Sequence, residues 1–183
     1  MKILIGCEFS GIVREAFRKK GHEAWSCDII PSDDNSPYHI QDDILNHLDD
    51  NYDMLICFPP CTHLCSSGAR WFKDKIPQQK EALDFVKKLL NCNIPKIALE
   101  NPIGIISTRI KKPTQIIQPY QHGHGETKST CLWLKNLPKL KPSNIVNGRE
   151  ARIHNMPPTK DRSKLRSITY TGIAKAMANQ WND

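Results

Sequence analysis

Asp53-Met54-Leu55-Ile56-Cys57-Phe58-Pro59-Pro60-Cys61 and Lys96-Ile97-Ala98-Leu99-Glu100-Asn101-Pro102 are two short apolar runs, each ending in residues that carry chemistry. Runs of this length with little polar alternation read as strands buried on both faces, over Asp53 to Phe58 and Lys96 to Glu100. Strands of that kind belong to open α/β sheets, where ligands are handled at the downstream strand ends. A thiol and a carboxylate delivered there can face one pocket.

The flanking sequence alternates in the same way. Lys2 to Gly6 reads as a strand and Gly11 to Lys20 as a helix, with Ile12, Val13, Ala16 and Phe17 on one side and Gly21 as its stop. Ala24 to Asp28 is the next strand, Ser32 to His39 a polar turn-forming stretch, and Gln78 to Leu90 a helix with Leu83, Val86, Leu89 and Leu90 inward. Gln115 to Tyr120 and Thr130 to Leu134 pair as a hairpin across His122-Gly123-His124-Gly125, and Gly172 to Trp181 is a closing helix. The pattern predicts an α/β fold: a mostly parallel sheet, helices on both faces, and an antiparallel pair near the end.

With 183 residues, 39% apolar and 25% charged, the chain fits one domain, 1–183, with a sizeable core. Its longest apolar stretches are far too short to span a bilayer, and Met1 to Ile5 enters a strand without a secretory leader, so a cytoplasmic location is expected. Seven cysteines, an odd count, fit reduced thiols that mostly pack as small hydrophobes. The net charge of +7 is concentrated where Lys135, Lys139, Lys141, Arg149, Arg152, Lys160, Arg162, Lys164 and Arg166 face only Glu150 and Asp161 as acids. Such a cluster either neutralises nucleic-acid phosphates or forms a solvated basic face.

Gly6-Cys7-Glu8-Phe9-Ser10-Gly11 joins the first strand to the first helix, where nucleotides sit in this architecture. Asp28, followed by Ile29, ends the second strand where a carboxylate can bond ribose hydroxyls. Asp43-Ile44 offers a second acceptor beside an apolar contact for a purine ring. The plain alternatives are an ordinary strand-to-helix turn for the first loop and turn-closing roles for both aspartates.

Taken in order, glycine loop, ribose acid, Asp-Ile, Pro-Pro-Cys and Glu-Asn resemble the cytosine-C5 DNA methyltransferase family, with Leu64, Cys65 and Gly68 at the offsets that follow the family's cysteine. The resemblance implies a Rossmann-like S-adenosylmethionine-dependent fold in a compact, phage-type member, acting in the host cytoplasm if phage-encoded. It implies that Cys61, in the loop shaped by Pro60, adds to cytosine C6, that Glu100 meets N3, and that Asn101 holds the loop. S-adenosyl-L-methionine would lie against Glu8, Phe9, Ser10, Gly11, Asp28, Ile29, Asp43, Ile44 and Pro59. Arg70, Lys128, Arg149, Arg152, Lys160, Arg162, Lys164 and Arg166 would contact DNA, duplex or single-stranded.

Several positions depart from the family pattern. Ile12-Val13-Arg14 stands where the family has further glycines, Thr62 and His63 where it has Gln after the cysteine, and Pro102 where it has Val. Lys128 is the nearest counterpart of its arginine-bearing motif, and Gly172-Ile173 replaces a Gly-Asn pair. The large target recognition domain is absent, its place taken by a short basic insert, 136–171, so specificity should be short or relaxed. On duplex DNA the target base must leave the stack, with Arg70, Trp71 or Phe72 available to fill the gap.

Cys57, Cys61, Cys65 and His63 do not read as a metal site, because Pro59 and Pro60 forbid the helix that would align the thiols. Three functions fit these residues: a DNA cytosine-C5 methyltransferase; the same thiol and carboxylate acting on a free nucleotide, RNA or a modified pyrimidine; and a non-catalytic module that binds nucleic acid or the cofactor.

Overall fold

The computed structural model describes residues 1–66 and 74–182. Seven strands form one sheet in the order β3-β2-β1-β4-β5-β7-β6. They are β1 (Lys2–Gly6), β2 (Glu23–Asp28), β3 (His39–Gln41), β4 (Met54–Cys57), β5 (Lys96–Pro102), β6 (Gln115–Ile117) and β7 (Thr130–Lys135). The neighbours from β3 through β5 pair parallel, and β7 is antiparallel to both β5 and β6. The expected antiparallel pair is therefore a reversed strand set between β5 and β6, and the expected mostly parallel α/β sheet is observed.

The helices are α1 (Ile12–Arg18), α2 (Ile76–Asn91), α3 (Ile106–Arg109), α4 (Arg152–Asn155), α5 (Arg162–Ser167) and α6 (Thr171–Gln180). Alternate residues of each strand point to opposite faces, and both faces are covered. On one, Ile3, Ile5, Met54, Ile56 and Ala98 pack with Val13 and Phe17 of α1 and Ile173, Met177 and Ala178 of α6. On the other, Leu4, Leu55, Ile97 and Leu99 meet Val86, Leu89 and Leu90 of α2 and Ile106 of α3. Each of the larger side chains among these, fully buried, contributes roughly 1.5–3 kcal/mol. Two buried indoles keep their N–H bonded, Trp133 Nε1 to Lys111 O at 2.8 Å and Trp181 Nε1 to Pro138 O at 2.9 Å.

Local chemistry accounts for the boundaries. α1 has no capping side chain at its N-cap, Gly11, whose φ of +70° is the left-handed region that favours glycine. Gly21, at φ +84°, ends the turn after it. α2 begins with Pro77 in its first turn, where the missing N–H costs nothing, so it starts two residues before the expected Gln78. β3 lies at the end of the stretch read as a polar turn, and exists because His39, Ile40 and Gln41 pair with Ser26, Cys27 and Asp28. Among the described residues no helix is long and apolar enough to cross a membrane.

Candidate active site

β4 and β5 are neighbours, with Cys57 opposite Leu99, so the two chemistry-bearing loops leave the sheet side by side. They are also stitched together by backbone. Leu64 N and Cys65 N both donate to Cys61 O at 3.0 Å, closing a turn over the cysteine. Ser66 N donates to Ile103 O at 3.0 Å and Ile105 N to Leu64 O at 2.8 Å, around an antiparallel bridge of Cys65 with Gly104. Asn101, 1% exposed, donates Nδ2 to Pro59 O at 2.7 Å, tying β5 to the buried first proline, while Pro60 is exposed. The Asn101 Oδ1 has no hydrogen-bond partner among the described residues.

The side chains share one electrostatic environment. The Cys61 thiol is raised far above its ordinary range by its hydrogen bond with the Cys65 thiol, by burial and by the Glu100 charge, with Lys128 pulling the other way. Burial likewise raises the Glu100 carboxyl, opposed by Lys128 and by the Thr130 hydroxyl. At neutral pH Cys61 is therefore a thiol, and Glu100 holds its proton more readily than a solvated carboxylate. Lys128 is fixed beside both: its N–H donates to Gln118 Oε1 at 2.9 Å and its Nζ to Arg166 O at 3.0 Å.

Next to this group lies an open hollow of about 340 Å³, walled by Cys65, Ser66, Pro102, Ile103, Thr127, Lys128, Ile153, His154 and Arg166. Its far wall is the basic insert. Within that insert several of the expected phosphate ligands are already engaged. Arg152 pairs with Glu126 at 3.0 Å, and Lys164 with Asp33 at 2.6 Å while standing 5.2 Å from the Phe9 ring. Arg149 lies on the Tyr120 ring, Lys160 is exposed, and Arg162 is half-buried with its Nε unpartnered among the described residues.

On the neighbouring strand β1, whose Gly6 lies opposite Cys57, the first loop is built around Glu8. This carboxylate is 4% exposed and accepts from Val13 N at 2.7 Å, Arg14 N at 3.3 Å and the Ser10 hydroxyl at 3.3 Å. It caps α1 from within the loop, satisfying N–H groups that Gly11 leaves open. Burial pushes it up to about 7, against those N–H groups and the Arg14 charge. Arg14, fully buried beneath the loop, donates to Ser26 Oγ at 2.8 Å and pairs with Asp34, while Asp33 N donates to Phe9 O at 2.9 Å. Arg14 thus pins the loop after β2 against the glycine loop.

Asp28 ends β2, its Oδ1 accepting Ile30 N at 3.2 Å, and burial raises it against its backbone donors and His39. Ile29 beside it is 73% exposed. Asp43 accepts Leu45 N at 3.0 Å and caps the 3-10 turn Ile44–His47. Ile44 is 3% exposed and packs against Gly6 and Cys57, so its side chain serves the core. The structure thus gathers Cys61, Glu100, Asn101 and Lys128 at one place and Glu8, Phe9, Ser10, Gly11, Asp28 and Ile29 at another along the same strand ends.

Arg70, with Gly68, Trp71 and Phe72, lies outside the described residues. Sequence reasoning missed Arg14, Thr130 and the Cys65 thiol. The four-residue spacing of Cys61 and Cys65 was the one available signal. Among the described residues no group of three or more His, Cys, Asp or Glu is arranged to hold a metal ion.

No protein-family model and no curated protein matches the sequence. Among solved structures, a candidate DNA modification methyltransferase encoded within an E. coli prophage aligns with a TM-score of 0.50 and 13% identity, over 86% of this chain and 55% of that one. The S. pombe Dnmt2 methyltransferase aligns with a TM-score of 0.49 and 15% identity, over 83% of this chain and 52% of that one. The chain spans about half the length of these structures. The likeness to the prophage-encoded protein is one of fold, a mostly parallel Rossmann-like sheet with helices on both faces.

Proposed function

We propose that this protein transfers a methyl group from S-adenosylmethionine to C5 of cytosine in DNA, through a covalent adduct of Cys61 at C6, with short or relaxed sequence preference. The observation that carries the reading is the meeting of the Cys61 thiol, the Glu100 carboxyl and the Lys128 ammonium at adjoining strand ends, with the Lys128 charge acting on both the thiol and the carboxyl. The methyltransferase-type sheet supports it.

The residues of the first loop suit the methyl donor, which supplies an electrophilic methyl group when bound. Gly11 adopts a backbone angle open to close approach, Asp28 offers an acceptor for ribose hydroxyls, and Ile29 presents an exposed apolar surface for a purine face. Glu8 and Arg14 shape that loop.

Cytosine C5 is too electron-poor to take a methyl cation equivalent unaided. Addition of the Cys61 sulfur to C6 spends the C5=C6 double bond and leaves an enamine across C4=C5 whose electrons reach C5. The charge pushed toward N3 is met by Glu100, whose raised proton affinity suits it to donate there. Once Glu100 has given its proton to N3, Lys128 balances the carboxylate left beside the adduct. Once C5 carries the methyl group and S-adenosylhomocysteine is left behind, N3 returns its proton to the Glu100 carboxylate, the C5 proton passes to solvent, and the C6–S bond breaks to return the thiolate and the aromatic ring. The resting thiol must first lose its own proton, so Lys128 also favours the reactive form.

The test is to incubate the protein with methyl-labelled S-adenosylmethionine and duplex DNA, single strands, RNA or dCMP, then identify the labelled nucleoside by mass spectrometry. 5-Methyldeoxycytidine from DNA is expected, with no product from Cys61→Ser at an unchanged melting temperature. Undiminished transfer by that variant, or label on another atom, overturns the proposal.

A further inference from the structure

Arg149 is held in a geometry that its charge alone does not require. Its guanidinium carbon lies over the Tyr120 ring, 3.5 Å from the centroid, and its Nη1 donates to Val146 O at 3.0 Å. The residue is exposed. Whereas Arg152 and Lys164 are matched by carboxylates, Arg149 has no carboxylate partner among the described residues. A guanidinium fixed over one aromatic ring has a second planar face turned outward, and such faces stack unpaired bases.

Its position ties it to the hollow. Glu150 N donates to Gly125 O at 3.0 Å and Thr127 N to Glu150 O at 2.9 Å, so the segment carrying Arg149 is laced to the segment carrying Thr127 and Lys128. Thr127 and Ala151 both line the hollow. Two residues of chain reach at most about 7 Å, which sets Arg149 within one side-chain length of the hollow's rim. Lys128 and Arg166 in its wall are suited to the intervening phosphate.

We propose that Arg149 on Tyr120 is a base-stacking ledge for the nucleotide next to the one in the hollow, and that the DNA it accepts is single-stranded. This rests on the nucleic-acid reading above. A base inside a duplex already has both faces covered by its neighbours, whereas a base of a single strand has a face free for the guanidinium.

The test is fluorescence anisotropy with 5′-labelled octadeoxycytidine and with a duplex of the same length, over a range of salt. The proteins are the wild type, Arg149→Lys and Arg149→Ala, each checked by thermal melting. Lysine keeps the charge and loses the plane. Arg149→Lys should weaken single-strand binding about 5- to 100-fold with an unchanged salt slope and leave duplex binding within about twofold. Arg149→Ala should weaken single-strand binding as much and also lower the slope by about one. Single-strand binding by Arg149→Lys equal to the wild type, or equal losses on both forms of DNA, overturns the ledge while leaving the nucleic-acid reading intact. Absence of wild-type binding to either form at low salt overturns both.

Discussion

Glu8 offers the most quantitative check on the first loop. Its carboxyl is raised from 4.5 to about 7 because burial costs the charged form more than two backbone N–H groups, Arg14 and Ser10 return. Below the unfolded value both states carry the proton and the group is neutral in its effect on stability. As pH rises from 4.5 to about 7, the unfolded chain has released its proton while the folded one still holds it, so folding stability falls. At 1.36 kcal/mol per unit, the loss is about 3 kcal/mol in all, complete above the folded value. Glu8→Gln keeps an acceptor for Val13 N–H and removes the titration. Urea unfolding at intervals from pH 4.5 to 8.5 should show the variant gaining about 3 kcal/mol on the wild type across that window. With an m value of about 1–3 kcal/mol per molar, this is a change of roughly 1–3 M in the gap between midpoints. Parallel stability curves for the two proteins would refute the account of a carboxyl held largely protonated beneath the loop.

Two further outcomes follow from the second cluster. Lys128→Met removes the charge that favours both the thiolate and the carboxylate, so the rise of kcat with pH should move upward by about one unit or more, read from single-turnover rates at saturating substrates. Asn101→Ala deletes a buried donor to Pro59 O together with an acceptor that has no partner among the described residues, so the two effects offset. Its stability should fall by no more than about 1 kcal/mol in chemical unfolding. Its kcat should drop about tenfold or more because the cysteine loop loses its anchor to β5.

The sheet was legible because β1, β4 and β5 carry short apolar runs with turn residues at their ends, and both faces are covered. β3 was not, because His39-Ile40-Gln41 has no apolar pattern of its own and becomes a strand only by pairing with β2. The placement of β7 between β5 and β6 is likewise a property of long-range pairing that the local hairpin signal does not contain. At the site, Cys61 and Glu100 stood out as residues ending two apolar runs, and the strands that carry them are neighbours. Arg14 did not, since an arginine in the first turn of a helix reads as solvated. Only the fold shows it enclosed between Ser26 and Asp34. The basic insert read as free charge, yet Arg152 and Lys164 find Glu126 and Asp33, 26 and 131 residues away in sequence.

The lacing of the cysteine loop to the loop after β5 brings main chain against main chain at Gly104, where an added methyl carbon would stand 2.0 Å from the Leu64 carbonyl oxygen. The spacing between the two loops is consequently a backbone dimension. Side chains around the cleft can drift without altering it, and one alanine at 104 would force the two jaws apart.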